Sequence, residues 1–144
     1  MVSSNDVDRR IHRRGLSPRQ LEAVTAAIVE RIAEPISVSA LSSVVGLSRS
    51  YFSHAFRRSV GWTPHAHVVR LRLERAMVLM AHTETSLTDV ALAAGFADQS
   101  HFSRSFRRLT GVTPADWRRA HKRPSFSGSW RSSIMFLKSA PPLE

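Results

Sequence analysis

The sequence predicts an all-α fold of seven helices. Three observations predict it. Apolar residues recur at the spacing of helix faces, and nowhere do they alternate with period two over a length that needs a sheet. Ser, Thr and Pro stand in the order in which they open helices. A stretch of chain also occurs twice: Ser50–Pro64 reads SYFSHAFRRSVGWTP and Ser100–Pro114 reads SHFSRSFRRLTGVTP, identical at nine of fifteen positions. Upstream, Val38–Gly46 lies over Leu87–Gly95 at an offset of 49 rather than 50. The second copy therefore carries one extra residue after its glycine, where a turn can absorb it.

Helices are expected over 18–33, 38–45, 49–59, 64–82, 87–94, 98–109 and 114–120. The first opens on Ser17-Pro18-Arg19-Gln20, a cap residue, a Pro at the first helical position and a Gln three residues after the cap. Leu21, Val24, Ile28 and Ile32 follow at helical spacing. Next comes a short helix, a glycine turn and a second helix over 38–59, and the same arrangement returns over 87–109. These are two helix-turn-helix subdomains. Gly46 and Gly95 suit turns that require a positive φ, which glycine adopts without strain. Between the units, 64–82 forms a linker helix with Val68, Leu71, Ala76 and Leu79 among its apolar positions. Thr63-Pro64 opens it as Thr113-Pro114 opens the last helix, and Ser86-Leu87-Thr88-Asp89 reads as a further capping box. The patterned domain runs 17–120. Residues 1–16 read as a flexible basic arm, and 121–144 as a flexible tail with a short apolar patch at Ile134–Leu137.

The 144 residues suffice for one domain with its own core. With 21 Lys+Arg against 11 Asp+Glu, the formal charge is +10, which favours polyanionic partners, nucleic acid first among them. All the basic residues but Lys122 and Lys138 are Arg, whose forked donors match phosphate and guanine. The absence of Cys excludes disulfide scaffolds, thiolate metal sites and Cys nucleophiles. The first residues hold Arg9, Arg10, Arg13 and Arg14 without an apolar core, which argues against a secretory signal. No apolar run approaches the ~18–20 residues of a membrane span, so a cytoplasmic protein is expected. The seven His are scattered, and no phosphate loop, HExxH or Ser/His/Asp arrangement is present. No catalytic residue, metal or cofactor is expected.

The second helix of each unit has two unlike faces. In 49–59, Phe52, Ala55 and Phe56 share an apolar face, and Arg49, Ser50, Ser53, His54 and Arg57 lie opposite. In 98–109, Phe102, Ser105 and Phe106 face the core, and Gln99, Ser100, Ser103, Arg104 and Arg107 face outward. Such a stripe suits base reading: Arg bonds guanine bidentately, Gln does the same to adenine, and small Ser lets the backbone approach. A merely solvated face would mix Glu with Arg, whereas the sole acid here is Asp98, placed as an N-cap. Arg57-Arg58 and Arg107-Arg108 end the two helices, where they grip phosphates, complement the helix dipole, or both. His54 and Arg104 hold equivalent places, so the two units should read different sequences.

The sequence resembles the AraC/XylS family of bacterial transcription activators over 17–120. The resemblance rests on Asp89-Val-Ala-Leu-Ala-Ala-Gly-Phe96, on Asp98-Gln-Ser-His-Phe-Ser-Arg-Ser-Phe-Arg-Arg108, on Gly111-Val-Thr-Pro114 and on Trp117-Arg118. Arg72-Leu73 with Ala76 and Leu79 looks like the family's linker helix. The resemblance implies two recognition helices in successive major grooves of double-stranded promoter DNA and activation through RNA polymerase. The positions matching the family's base-contacting sites are Arg49, Ser50, Ser53 and His54, then Gln99, Ser100, His101 and Arg104. His67 stands where the family often has an aromatic and Ala97 where it often has a cap residue, so each is expected to cost stability. About 16 residues precede the patterned part, which fits a MarA/SoxS/Rob-like stand-alone regulator, expected to act as a monomer, or a fragment of a longer one. Beside the activator stand a repressor or architectural DNA protein that does not contact polymerase, and an adaptor using its basic faces on an acidic protein.

Overall fold

The computed structural model describes residues 15–122. Among these residues there are seven helices and no strand: α1 Pro18–Glu30, α2 Val38–Val44, α3 Arg49–Val60, α4 Pro64–His82, α5 Leu87–Ala93, α6 Gln99–Thr110 and α7 Pro114–His121. Residues 1–14 of the expected basic arm, and the expected tail from 123 with Ile134–Leu137, lie outside the described residues.

The helix starts follow their caps. Ser17 Oγ accepts from the Gln20 N–H while Gln20 Oε1 accepts from the Ser17 N–H, closing the box at the head of α1. Thr63 and Thr113 accept from the N–H groups of Ala66 and Asp116, three residues on in each copy. α1 stops at Glu30, earlier than its apolar period suggests. The Arg31 N–H turns back to the Ile28 carbonyl, and Pro35 disfavours helical backbone at Glu34. Ahead of α1, Leu16 packs against the first unit. Leu16 is buried, and its N–H donates to Ser59 Oγ at 2.6 Å.

The described residues divide into two compact units. The first takes the chain up to Arg31 and Pro35–Val68, and the second takes Ile32–Glu34 and the chain from Val69. In the first, Val24 and Ile28 of α1, Leu41 of α2 and Tyr51, Phe52, Ala55 and Phe56 of α3 form the core. The Phe56 ring meets His67 edge-on at 5.2 Å. In the second, Leu73, Met77 and Met80 of α4, Val90 of α5, Phe102, Phe106 and Leu109 of α6 and Trp117 of α7 form the core. There the Phe106 ring meets Trp117 edge-on at 6.0 Å.

His67 and Trp117 are related by the same offset of 50, so His67 occupies the aromatic place in the first copy. The smaller imidazole is supported by Trp62, which stacks on it and donates from Nε1 to His67 Nδ1 at 3.2 Å. Ala97 likewise costs no cap. The residue that caps α6 is Asp98, whose carboxylate accepts from the His101 N–H at 2.7 Å. Ala97 is the extra residue of the second copy: Ser48 caps α3 directly after Leu47, whereas Ala97 stands between Phe96 and Asp98.

Of the four apolar positions that the sequence marks in α4, Val68 and Ala76 are buried and the two leucines are not fully so. Ala66, Val68, Val69, Leu73, Ala76, Met77 and Met80 are buried, while Leu71 and Leu79 are only half-buried. Arg70 is buried as well, at 2% exposure. Burial lowers its pKa, and the neighbouring Glu74 carboxylate opposes that shift.

The turns between α2 and α3 and between α5 and α6 share one geometry. Gly46 and Gly95 have φ of 68° and 98°, and the following N–H of Leu47 or Phe96 returns to the carbonyl of Ser42 or Ala91. Their surroundings differ. A Cβ on Gly46 would meet nothing within 4 Å, whereas one on Gly95 would collide with the Ile32 carbonyl and lie 2.6 Å from Arg72 Nε. Gly46→Ala should therefore cost about 1–2 kcal/mol, from backbone strain alone. Gly95→Ala should cost about 3 kcal/mol or more, since a backbone oxygen must also give way. Urea denaturation of the two variants measures the difference; equal losses would show that the packing against Gly95 is immaterial.

Candidate nucleic-acid interface

Phe52 and Phe56 in α3, and Phe102 and Phe106 in α6, lie one helical turn apart and are fully buried. Two anchors at i and i+4 fix the roll of a helix about its own axis. In α3 the roll leaves Arg49, Ser50, His54, Arg57 and Arg58 exposed and Ser53 half-exposed. In α6 it leaves Gln99, Ser100, Arg104, Arg107 and Arg108 exposed and Ser103 half-exposed. The stripes occupy equivalent positions, and neither helix contains an acidic residue. The one carboxylate at their ends, that of Asp98, is engaged by the His101 N–H. Each stripe thus presents guanidinium groups beside small hydroxyls and no counter-charge of its own, a surface suited to phosphate and to base edges.

His101 is placed differently from the other site residues. It is half-buried, with its ring edge-on to Phe96 at 5.4 Å. Its counterpart in the first copy is Tyr51, only 5% exposed, so both positions turn toward the core side of their helix. The Tyr51/His101 alignment carried this information, since a position that is Tyr in one copy and His in the other fits packing as well as polarity.

Gln99, the first residue of α6, is held from the preceding helix. The Thr88 hydroxyl of α5 donates to Gln99 Oε1 at 2.7 Å. The sequence pattern marks Thr88 only within the Ser86–Asp89 helix cap and not as a site residue.

Three other arginines serve the fold. Arg72 donates from Nε to the Ile32 carbonyl at 3.1 Å and from Nη2 to the Glu34 carbonyl at 2.8 Å, and its burial lowers its pKa. Arg75 Nε donates to the Ala93 carbonyl at the end of α5, 3.0 Å away. Arg118 donates from Nε to the Met80 carbonyl and from Nη2 to the Thr83 carbonyl, at 3.2 and 2.8 Å. Carbonyls at helix C-termini lack helical partners and carry partial negative charge, which a guanidinium fork satisfies. Among the described residues, the exposed arginines of the two stripes thus differ from Arg72, Arg75 and Arg118, which are spent on backbone carbonyls.

Among the described residues no three His, Asp or Glu cluster so as to hold a metal ion, and no helix is long and apolar enough to cross a membrane.

A family model described as a helix-turn-helix domain matches residues 41–120. Among curated relatives, LumQ of Photobacterium leiognathi, described as a probable transcriptional regulator, is 44% identical over 87 residues, covering 60% of this chain and 35% of that protein. The transcriptional activator RhaS of Escherichia coli is 33% identical over 102 residues, covering 71% of this chain and 37% of its own length. The chain thus spans about a third of the length of these relatives. Among solved structures, an AraC-type DNA-binding regulator from Chromobacterium violaceum superposes with a TM-score of 0.69 at 30% identity, covering 74% of this chain and 96% of that one. The DNA-binding domain of AdpA, solved with a target DNA, gives 0.66 at 30% identity over 72% of this chain and 93% of its own.

The two classes of arginine should separate in stability. Arg118→Ala removes two charge-assisted bonds and should cost about 1.5–3 kcal/mol. Arg104→Ala, on the exposed stripe, should stay within about 0.5 kcal/mol of the parent. Thermal melts of both variants decide the matter, and an equal loss at the two sites would contradict the division.

Proposed function

The chain belongs to the AraC family of helix-turn-helix proteins, and we propose that it is the DNA-binding part of a transcription regulator that reads one asymmetric promoter site with both α3 and α6. The observation that carries this reading is the repeated acid-free stripe on two helices whose roll is fixed by buried phenylalanines. A helix in the major groove reads donors and acceptors on base edges, and side chains at its ends grip phosphate. The solved AdpA domain, similar to this chain at 30% identity, binds its target DNA.

Two further features favour a single asymmetric site. α4 is one uninterrupted helix of 19 residues, about 28 Å at 1.5 Å per residue. That is close to the ~34 Å of one DNA turn, so its length suits recognition helices set in successive major grooves. The stripes also carry different readers, His54 in one and Arg104 at the equivalent place in the other, so the half-sites differ in sequence.

The regulator acts in the cytoplasm, and the net charge of +10 steers it to DNA. It activates by contacting RNA polymerase, in keeping with the family and with the activator RhaS. Acting as a stand-alone regulator, the chain would bind its asymmetric site as a monomer. Output from a promoter-fused reporter that rises with the protein supports activation; a fall indicates a repressor instead.

Fluorescence anisotropy on specific and scrambled duplexes across a salt series tests the DNA reading. Arg104→Ala should lose about 1–3 kcal/mol of discrimination within one half-site and leave the other unchanged. Arg58→Ala should weaken all sequences alike and lower the salt slope by about 1. If both variants lose only non-specific affinity, α6 does not read bases.

A further inference from the structure

We propose that Thr88 is a positioning residue for base recognition, and that it fixes the side-chain amide of Gln99 before DNA arrives. The inference rests on the reading above, in which Gln99 faces a base.

Thr88 is the second residue of α5 and Gln99 the first of α6, so the bond between them spans the helix-turn-helix. The donor is the Thr88 hydroxyl and the acceptor is Gln99 Oε1, 2.7 Å apart, with both residues exposed. An exposed glutamine with three rotatable bonds samples many rotamers, and ordering it on a ligand reduces affinity. The bond from Thr88 selects one arrangement in advance. It occupies one lone pair of Oε1 and leaves the amide NH₂ and the second lone pair available. A donor beside an acceptor matches the N7 and N6 amino group of adenine in the major groove.

The device belongs to the second unit alone. By the repeat, Ser39 and Arg49 hold the corresponding places in the first unit. A guanidinium has no acceptor for a hydroxyl proton, so the same donation cannot form there. The second unit can hold a neutral amide reader in place, and the first must place a charged one by other contacts.

The test is sequence selection by the full chain from a pool of duplexes with a randomised core, read by sequencing, for the parent, Thr88→Val, Thr88→Ser, Gln99→Ala and the Thr88→Val/Gln99→Ala double variant. Thr88→Val keeps the branched shape and removes the hydroxyl. It should lower the preference at the base pair assigned to Gln99 about three- to tenfold, the size expected for releasing one ordered side chain, and leave other positions unchanged. Thr88→Ser should retain the preference, and Thr88→Val should add nothing in the Gln99→Ala background. Should the valine variant fold poorly by circular dichroism, Thr88→Ala removes the same hydroxyl and is read in the same way. A preference unchanged by loss of the hydroxyl, or an equal loss over all sequences, overturns the role of Thr88 while leaving Gln99 as a reader. If Gln99→Ala changes no base preference, Gln99 is not a reader, and the role of Thr88 falls with it.

Discussion

Burial of two phenylalanines four residues apart governs each helix-turn-helix of this chain. Phe52 and Phe56, and again Phe102 and Phe106, are wholly removed from solvent. Truncating one such ring in a core costs about 3–5 kcal/mol, a large share of the stability of a small domain. A helix held at two points a turn apart cannot roll without exposing both. What it shows to solvent is thereby decided, and the outward residues in both copies are Arg, Ser, His and Gln. The surface chemistry is a consequence of core packing.

The arginines acquire different meanings on this frame. By composition alone they are one class, and the sum of +10 suggests a surface made for polyanions. The structure separates them by what their donors face. Arg72, Arg75 and Arg118 donate to main-chain carbonyls and tie together segments far apart in sequence. Arg49, Arg57, Arg58, Arg104, Arg107 and Arg108 remain exposed on the stripes. Net charge is therefore a fair guide to the kind of partner and a poor guide to which residues meet it.

Much of the architecture was legible because the signals are local. Ser17 with Gln20, Thr63 with Pro64 and Thr113 with Pro114 each act within one helical turn, and the helices begin where these residues stand. The duplication made the stripes legible, since the same period with the same polar residues recurs 50 positions on. α4 was less legible because it is apolar around much of its circumference, with Val69, Leu71, Leu73, Met77 and Leu79 in close succession. Its residues also serve two cores: Ala66 and Val68 belong to the first unit, Val69 onward to the second. No single period marks such a helix. Bonds that join distant segments, such as those of Arg72 to Ile32 and Glu34 or of Thr88 to Gln99, follow from tertiary placement and leave no trace in local spacing.

The proposed reading of DNA by both α3 and α6 is tested most directly by selection of bound fragments from a random duplex pool by the unmodified chain. It predicts enrichment of one asymmetric site with two unlike half-sites about one helical turn apart. Salt-sensitive binding with no enriched sequence, or enrichment of a single half-site, would contradict it.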